Sequence, residues 1–221
     1  MRKEVSAIIT RRLAIGAASG LLLGAISPPA MAQPRAKAPK GTMRVYQVGA
    51  QKSVETLALV RRPIPEPGPG QGLIKVHYAG IAARDLGIAA GRFPVPPGPR
   101  PASLIPLSEG AGDVVALGPG ENRIKIGDRV TSPHWARWVS GPWSPNNYEA
   151  DVGNTIDGWL GEMILLPTSG LVVLPDNIPS QDAATFSGSG VTAWHALHEV
   201  AHVRSDDTVL SLGTEIGRAH V

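Results

Sequence analysis

Two pairs of neighbouring residues in this sequence could support chemistry on a substrate oxygen. Arg84 and Asp85 form a charged pair directly after a β-rich run, and Ser108 and Glu109 stand at the start of a glycine-rich segment. A hydroxyl can donate a hydrogen bond to a developing negative charge, and an arginine beside an aspartate can contact a ligand or form a structural ion pair. Each pair lies where a predicted strand meets a loop, a common location for functional side chains.

Three histidines suggest a second kind of chemistry. His195, His198 and His202 recur at spacings of three and four residues, which places them near one face of a helix. Such a stripe could bind a metal ion, or it could be a polar helix face. The HExxH arrangement of zinc hydrolases is absent, so the polar face is favoured.

The segment from 106 to 130, PLSEGAGDVVALGPGENRIKIGDRV, must position the second pair. A β-rich run ends in a turn that contains two glycines and a proline, and the tight turn Gly127-Asp128 then starts a return strand. This strand–turn–strand pattern resembles the medium-chain dehydrogenase/reductase family, whose catalytic domain carries a glycine-rich GHE-GxG segment followed by GDRV. By that resemblance, Ser108 occupies the position of a zinc-binding histidine, while Glu109, Gly110 and Gly112 are retained.

The same resemblance assigns the other two catalytic zinc ligands to positions without a donor side chain. Ala82 stands in place of the first ligand, and Gly188 in place of the third, shortly before the family's Thr-Ala-Trp motif, which begins at Thr192. The chain has no cysteine, so the four-cysteine structural zinc lobe is absent as well. We therefore expect no catalytic zinc, and the Arg84-Asp85 pair favours the zinc-independent branch, similar to quinone oxidoreductases.

The resemblance implies an oxidoreductase that uses NAD or NADP and acts on a carbonyl, an alcohol, an enone or a quinone. Without zinc, another group must stabilise charge on the substrate oxygen. Ser108 is the candidate catalytic donor, although it could merely fill the space left by a histidine, and that use is favoured. The residues expected near the cofactor are Arg84, Asp85, Thr192, Gly213 and Thr214. Arg84 and Asp85 could instead form a structural ion pair.

The predicted fold is a mostly β, GroES-like barrel as catalytic domain, followed by the truncated start of an α/β Rossmann domain. The predicted boundaries are a signal peptide over 1–32, a linker over 33–42, the catalytic domain over 43–174 and the start of the cofactor domain over 175–214. Residues 182–200 are expected to form a helix, and residues 207–214 a buried strand. Because helices that would cover this strand are lacking, we expect the fragment to be poorly stable.

The first 32 residues have the organisation of an export signal. A basic start is followed by an uncharged, weakly apolar run and by Ala30-Met31-Ala32, which fits cleavage after Ala32. The pair Arg11-Arg12 resembles a twin-arginine signal and predicts a periplasmic or exported protein. An ordinary secretory signal and an uncleaved anchor are the alternatives. Glycines and prolines dilute the run below a typical membrane span, so no stable span is expected after cleavage.

Charge and composition restrict the partners. Four of the 21 basic residues and one of the 18 acidic residues precede residue 33, so the rest of the chain is balanced and offers no basic patch for nucleic acid. A small-molecule substrate is expected, and the family resemblance implies a homodimer for the full-length protein.

An aromatic-rich loop follows the GDRV turn. It contains three tryptophans and a tyrosine, with a fourth tryptophan further on: Trp135, Trp138, Trp143, Tyr148 and Trp159. Such a loop could line an apolar substrate pocket, or it could be a surface loop whose rings pack on one another. The sequence does not decide between these two uses.

Two other functional classes compete with the oxidoreductase. A non-catalytic binding or structural protein on the same scaffold is the main alternative, because the glycine-rich turn expected after residue 213 is missing. A metal hydrolase that uses the three histidines is the weaker one.

The last seven residues, EIGRAHV, read as the in-frame translation of a common sequencing-adapter sequence. We therefore expect source DNA, read again across the codon for Thr214, to continue into a glycine-rich turn and further strand–helix repeats. A frame that ends after Val221 in independently cloned DNA would contradict this expectation and would favour the binding protein.

Overall fold

The computed structural model describes residues 38–49, 53–93 and 101–211. Strands dominate this part of the chain, and the α-helices are short. In chain order the elements are β1 (Thr42–Gly49), β2 (Leu57–Pro63), β3 (Gln71–Gly80), α1 (Ala83–Ala89), β4 (Ser103–Leu104), β5 (Glu109–Leu117), β6 (Arg129–Thr131), β7 (Met163–Pro167), β8 (Val172–Val173), α2 (Ser180–Ala183) and α3 (Val191–Trp194). The predicted mostly β architecture is thus present.

The strands form two antiparallel sheets. The smaller sheet has the order β2-β1-β4, and the larger one has the order β7-β3-β5-β6-β8. In the larger sheet β3 and β5 pair along almost their whole length, with two shifts in register that add local twist. Gly80, the last residue of β3, lies opposite Glu109, the first residue of β5. This register brings the segment after β3 and the segment before β5 to the same end of the sheet.

The main core lies against the inner face of the larger sheet. Ile74 of β3, Val114 of β5 and Leu166 of β7 are essentially inaccessible to solvent, and so is the ring of Trp159. Trp159 packs on Gly110, where a Cβ atom would lie 2.6 Å from Cγ of the indole. Trp159 is therefore a core residue. Its grouping with the rings of the aromatic loop was wrong, because the bare backbone of β5 leaves space for the ring.

The predicted β-rich run of the segment from 106 to 130 is present as β5, and the return strand β6 follows a turn in which Gly127 has φ 91°. This positive φ is the left-handed conformation that favours glycine. The sequence reasoning had not identified β2 or α1. Strand β2 pairs with β1 along seven residues, and α1 is a helix of seven residues.

The chain after β8 is helical from Ser180 to Val200, as predicted, but its turns vary. Two stretches of wide, π-type turns, Phe186–Gly190 and His195–Val200, flank α3. The side chains of Val191 and Trp194, two of the apolar residues of this segment, are exposed at 58% and 60%. Among the described residues, no element packs over this side of the segment.

The predicted buried strand over 207–214 is wrong as far as the structure describes it. Residues 207–211 are irregular, and Leu210 is 80% exposed. A strand is stable only when its backbone groups are paired with a neighbour. No described strand lies beside this segment to provide that pairing.

Several predictions fall on residues that the structure does not describe. They concern the signal peptide over 1–32, most of the linker, Gly213, Thr214 and the last seven residues. Within the described ranges, none of the helices has the length and apolar character needed to cross a membrane.

The close pairing of β3 and β5 yields a test of the fold. A Cβ atom on Gly112 would overlap with the carbonyl oxygen of Lys75 and lie 2.9 Å from Cγ2 of Ile74. We expect Gly112→Ala to lower the free energy of unfolding by about 2–4 kcal/mol, because β3 must move away from β5. Urea unfolding followed by circular dichroism would measure this change.

Gly49→Ala is the matched control for this substitution. A Cβ atom there meets only Thr56, at 3.9 Å, so the free energy of unfolding should change by less than about 1 kcal/mol. Equal effects of the two substitutions would contradict the described register.

Candidate functional site

Asp85 connects the start of α1 to the residue that precedes β5. Its Oδ2 accepts a hydrogen bond from the backbone N–H of Ala82 at 2.8 Å. Its Oδ1 accepts from the hydroxyl of Ser108 at 2.6 Å and from the backbone N–H of Ser108 at 3.2 Å. One carboxyl group thus binds both Ala82 and Ser108, which are two of the three positions that the family resemblance assigns to zinc ligands.

The environment of Asp85 shifts its acidity. Burial is the largest cause, and it raises the pKa of the Asp85 carboxyl above its ordinary value of 3.8. The hydrogen bonds from Ser108 and Ala82 and the positive charge of Arg84 act in the opposite direction, but they do not cancel the effect of burial. Asp85 is 4% exposed, and Ser108 is fully buried.

These contacts bear on the candidate role of Ser108. The hydroxyl of serine has a single proton, and in this structure that proton is donated to Asp85. A substrate oxygen would have to compete with a buried carboxyl group for it. The assignment of Ser108 as a donor to substrate stays a prediction.

Arg84 forms a buried ion pair with Asp151. Its Nη2 lies 2.8 Å from Oδ1 and 2.9 Å from Oδ2 of that carboxylate, and Asn154 donates to Oδ2 at 2.9 Å. The side chain of Asp151 is inaccessible to solvent, and that of Arg84 is 14% exposed. The guanidinium also lies 5.0 Å from the centre of the Phe93 ring, a cation–π distance. Arg84 and Asp85, paired in sequence, therefore have different partners and do not form an ion pair with each other in this structure.

His134 lies between Arg84 and Gly188. Its Nδ1 is hydrogen-bonded to Nη1 of Arg84. A guanidinium can only donate, so Nδ1 accepts and the proton of the neutral ring is on Nε2. A Cβ atom on Gly188 would overlap with Nε2 of His134 and with Oε1 of Glu109. The imidazole thus occupies the space into which a side chain at position 188 would extend.

Glu109 completes the cluster. Its Oε1 accepts from the backbone N–H and the hydroxyl of Ser189 at 3.0 and 2.9 Å, and it lies 3.7 Å from Nε2 of His134. Its Oε2 is buried and has no hydrogen-bond partner among the described residues. Glu109 connects the start of β5 to the helical segment that carries Gly188. The structure therefore brings all three ligand positions of the family, Ala82, Ser108 and Gly188, into one cluster.

The residues of this cluster do not fit a zinc ion. Two of the three ligand positions have no side-chain donor atom, and the hydroxyl of Ser108 is bound to Asp85. The space beside Gly188 is filled by His134, which is itself bound to a cation. Within the described ranges, no group of three His, Asp or Glu side chains is arranged to hold a metal ion.

Of the remaining cofactor candidates, the structure describes Thr192. The hydroxyl of Thr192 donates to the carbonyl of Gly188 at 2.7 Å, one turn earlier in the helical segment. Gly213 and Thr214 lie outside the described residues. The structure therefore gives Thr192 a local partner and leaves its predicted role beside the cofactor as a prediction.

The histidine stripe is not continuous in the structure. His195 and His198 belong to the helical segment, but that segment ends at Val200, and His202 has φ 51°. Nδ1 of His202 is hydrogen-bonded to the carbonyl of His198 at 3.0 Å, and the ring of His198 packs on Trp194 with centroids 3.9 Å apart. The prediction of one shared face was wrong for His202, because the helix ends before it.

The aromatic loop packs mainly on itself. The ring of Trp135 lies within 5.5–6.4 Å, between centroids, of the rings of Trp138, Trp143 and Tyr148. Tilted and edge-to-face contacts of this kind stabilise a loop by about 0.5–1.5 kcal/mol each beyond simple burial. The loop is also attached to the site, since Trp135 follows His134 directly and pairs with Asp151 through an isolated bridge.

Comparisons with known proteins bear on the fold and the family of this chain. Residues 68–176 match the family described as the alcohol dehydrogenase GroES-like domain. An alcohol dehydrogenase from Rhizobium meliloti is 34% identical over 165 residues, which make up 71% of this chain and 47% of that protein. The chain belongs to the medium-chain dehydrogenase/reductase family. The predicted family and the GroES-like fold are confirmed, and the chain spans about half the length of the curated relatives it matches.

Two solved structures of the family are similar to this chain at 28% identity. A thermostable alcohol dehydrogenase from Pyrobaculum aerophilum with bound cobalt and zinc has a TM-score of 0.60, with 73% of this chain and 49% of that chain covered. The mycobacterial protein Rv1454c in complex with NADPH has a TM-score of 0.58, with coverage of 75% and 44%. The family thus includes similar proteins with bound metal and with bound nicotinamide nucleotide.

Sequence reasoning missed two residues of the cluster, His134 and Asp151. Both lie in the loop region after β6, far in sequence from Arg84, and no motif connects them to it. Arg84 follows a β-rich run, where a charged side chain implies an acidic partner, but Asp85 beside it in the sequence already offered that partner.

The raised pKa of Asp85 predicts a specific dependence of stability on pH. Because the folded pKa lies above the unfolded value, the stabilising contribution of protonated Asp85 is complete below about pH 3.8 and is lost as the pH rises through the folded pKa. The quantity to follow is the difference in the free energy of unfolding, wild type minus Asp85→Asn. This difference should fall as the pH rises from about 4, by at most about 1.4 kcal/mol per pH unit.

Ser108→Ala is the companion variant in this experiment. It removes a hydrogen bond that favours the ionised carboxylate, so the folded pKa rises further and the fall should extend to higher pH. Urea unfolding at a series of pH values measures both effects. A difference that is constant, or that grows with pH, would contradict the assigned shift.

Proposed function

We propose that the complete protein is an NAD(P)-dependent oxidoreductase that does not use zinc. Its reaction adds a hydride to, or removes one from, the carbon of a carbonyl, an alcohol, an enone or a quinone. The observation that carries the proposal is the charged cluster at the family's metal position. That cluster contains the side chains of Arg84, His134 and Glu109. They lie among the three positions that the family resemblance assigns to zinc ligands, and these positions do not form a complete metal site.

Family membership supports the redox chemistry. The similar proteins from Rhizobium meliloti and from Emericella nidulans are alcohol dehydrogenases, and the mycobacterial relative binds NADPH. A bound nicotinamide would supply or accept the hydride. The residues of this chain would bind the substrate, exclude water and stabilise charge on the substrate oxygen.

The donor set supports the absence of zinc. In the relative from Pyrobaculum aerophilum, metal is bound within a similar fold. The present chain has Ala82 and Gly188 at two of the ligand positions, and its hydroxyl at Ser108 is committed to Asp85. A zinc site needs three protein ligands in a catalytic centre and four in a structural one.

We assign further roles by the family resemblance. Thr192 would lie near the nicotinamide, and Gly213 with Thr214 near the phosphates, at the first turn of a Rossmann domain. The aromatic loop that contains Trp138 and Trp143, whose rings are 37% and 42% exposed, would form one wall of the substrate pocket. An exported location and a homodimer are part of the same proposal.

The test uses the protein expressed from its complete coding sequence without the export signal. We expect binding of NADH or NADPH, detected by nucleotide fluorescence. We also expect oxidation of the bound nucleotide by at least one member of a panel of benzaldehyde, cyclohexanone, 2-cyclohexenone and 1,4-benzoquinone. Activity should survive 1,10-phenanthroline, because no metal takes part, whereas a zinc-containing alcohol dehydrogenase assayed in parallel should lose it.

Two results would contradict the proposal in different ways. If neither nucleotide binds, the redox function fails and the non-catalytic binding protein replaces it. If the protein contains one equivalent of zinc by mass spectrometry and the chelator abolishes turnover, the family chemistry stands but zinc independence fails.

A further inference from the structure

An oxidoreductase without zinc needs another group that stabilises negative charge on the substrate oxygen. In the reduction of a carbonyl, a bound nicotinamide would supply the hydride for the new C–H bond, the π electrons would move to oxygen, and the oxygen would take a proton from solvent. The negative charge on oxygen must be stabilised during this step. The inference below rests on the proposed function and concerns which group provides that stabilisation.

We propose that the guanidinium of Arg84 takes the place of the metal ion and donates hydrogen bonds to the substrate oxygen. Arg84 lies two residues after Ala82, and it is bonded to His134, which occupies the space beside Gly188. Its charged group therefore stands among the ligand positions of the family. An arginine side chain is protonated at all ordinary pH values, so this charge is permanent, as a metal's would be.

The structure holds this cation in a fixed position. Asp151 binds Nη2 through both of its oxygens and is itself held by Asn154, and the ring of Phe93 lies beside the guanidinium. Groups that are fixed before the reaction stabilise a transition state without a cost of reorganisation. Burial of Asp151 makes the pair hard to separate, since either charge alone would be costly in the interior.

Arg84 still has hydrogen-bonding capacity to offer a ligand. A guanidinium has five N–H groups. The bonds of Arg84 in the described structure use Nη2 for Asp151 and one N–H of Nη1 for His134. Nε has no hydrogen-bond partner there, but it is buried. The side chain is 14% accessible, so a substrate oxygen would bind the second N–H of Nη1.

The neighbouring polar groups are less suited to this role. The proton of Ser108 is donated to Asp85. Nδ1 of His134 accepts from Arg84, and its buried Nε2 faces Gly188 and Glu109 rather than open space. We therefore assign His134 and Asp151 as positioning residues, which act by orienting the guanidinium.

A single substitution of Arg84 would not test the proposal cleanly. Arg84→Met leaves the buried carboxylate of Asp151 without a counter-charge, and the protein could lose activity simply by unfolding. The double variant R84M/D151N removes both charges at similar volume, and Asp151→Asn alone keeps the guanidinium. Comparing the double variant with Asp151→Asn separates a structural role from a catalytic one.

The experiment uses the complete protein with the substrate that the panel above identifies. We expect R84M/D151N to recover a melting temperature close to that of Asp151→Asn and to bind NADPH or NADH as the wild type does. Its kcat should nevertheless be about 10²–10³-fold lower than that of Asp151→Asn, as for the loss of one oxyanion donor. Arg62→Met, at a partly exposed ion pair with Asp157, is the matched control and should retain wild-type kcat.

A second measurement tests whether the missing guanidinium is what limits the reaction. Arg84→Ala leaves a cavity beside an intact Asp151. Under conditions where its circular dichroism and nucleotide binding match those of the wild type, guanidinium chloride at low concentration should restore part of the lost kcat. Sodium chloride at equal ionic strength should not. Arg84→Met fills the cavity and should not respond to guanidinium.

The outcomes separate this inference from the proposed function. If the wild type turns over substrate and R84M/D151N keeps a kcat within about threefold of Asp151→Asn, Arg84 is structural and the inference is wrong, while the proposed function stands. If the wild type neither binds nucleotide nor oxidises it with any member of the panel, the proposed function itself has failed.

Discussion

The ion pair between Arg84 and Asp151 is the interaction on which the candidate site depends. A fully buried carboxylate is tolerated only where a cation and further hydrogen bonds compensate for its lost hydration. Arg84 provides the cation, and Asn154 provides one of the hydrogen bonds. The pair connects α1, which follows β3, to the long loop after β6. It therefore fixes both the aromatic loop and the ring of His134 relative to the larger sheet.

A second carboxyl group, that of Asp85, connects the other side of the cluster. Through Ser108 and Ala82 it joins the start of α1 to the start of β5, while Glu109 joins β5 to the helical segment through Ser189. Two acidic residues thus connect three segments at the positions that the family resemblance assigns to zinc ligands. The guanidinium of Arg84 and the imidazole of His134 lie beside them.

The sequence predicted the elements that local patterns determine. The glycine-rich segment from 106 to 130 predicted β5, its turn and the position of Ser108 and Glu109, because alternating apolar residues and glycines are local signals. It could not predict that Arg84 pairs with Asp151 rather than Asp85, since that contact spans 67 residues of sequence. Nor could it predict His134, whose position follows from the absence of a Cβ atom at Gly188. The strand expected over 207–214 is absent from its described part, 207–211, for a related reason. Strand formation depends on a neighbouring strand as well as on apolar residues.

The central claim is that Arg84 takes the place of a metal ion, and a crystal structure of the complete protein would test it most directly. The crystals would contain a nicotinamide nucleotide and a substrate analogue, and the data would be collected at the zinc absorption edge. The account predicts a substrate oxygen about 2.7–3.1 Å from a nitrogen of Arg84 and no anomalous signal among Ala82, Ser108 and Gly188. A zinc peak at that position, or a substrate oxygen bound to Ser108 and remote from Arg84, would contradict it.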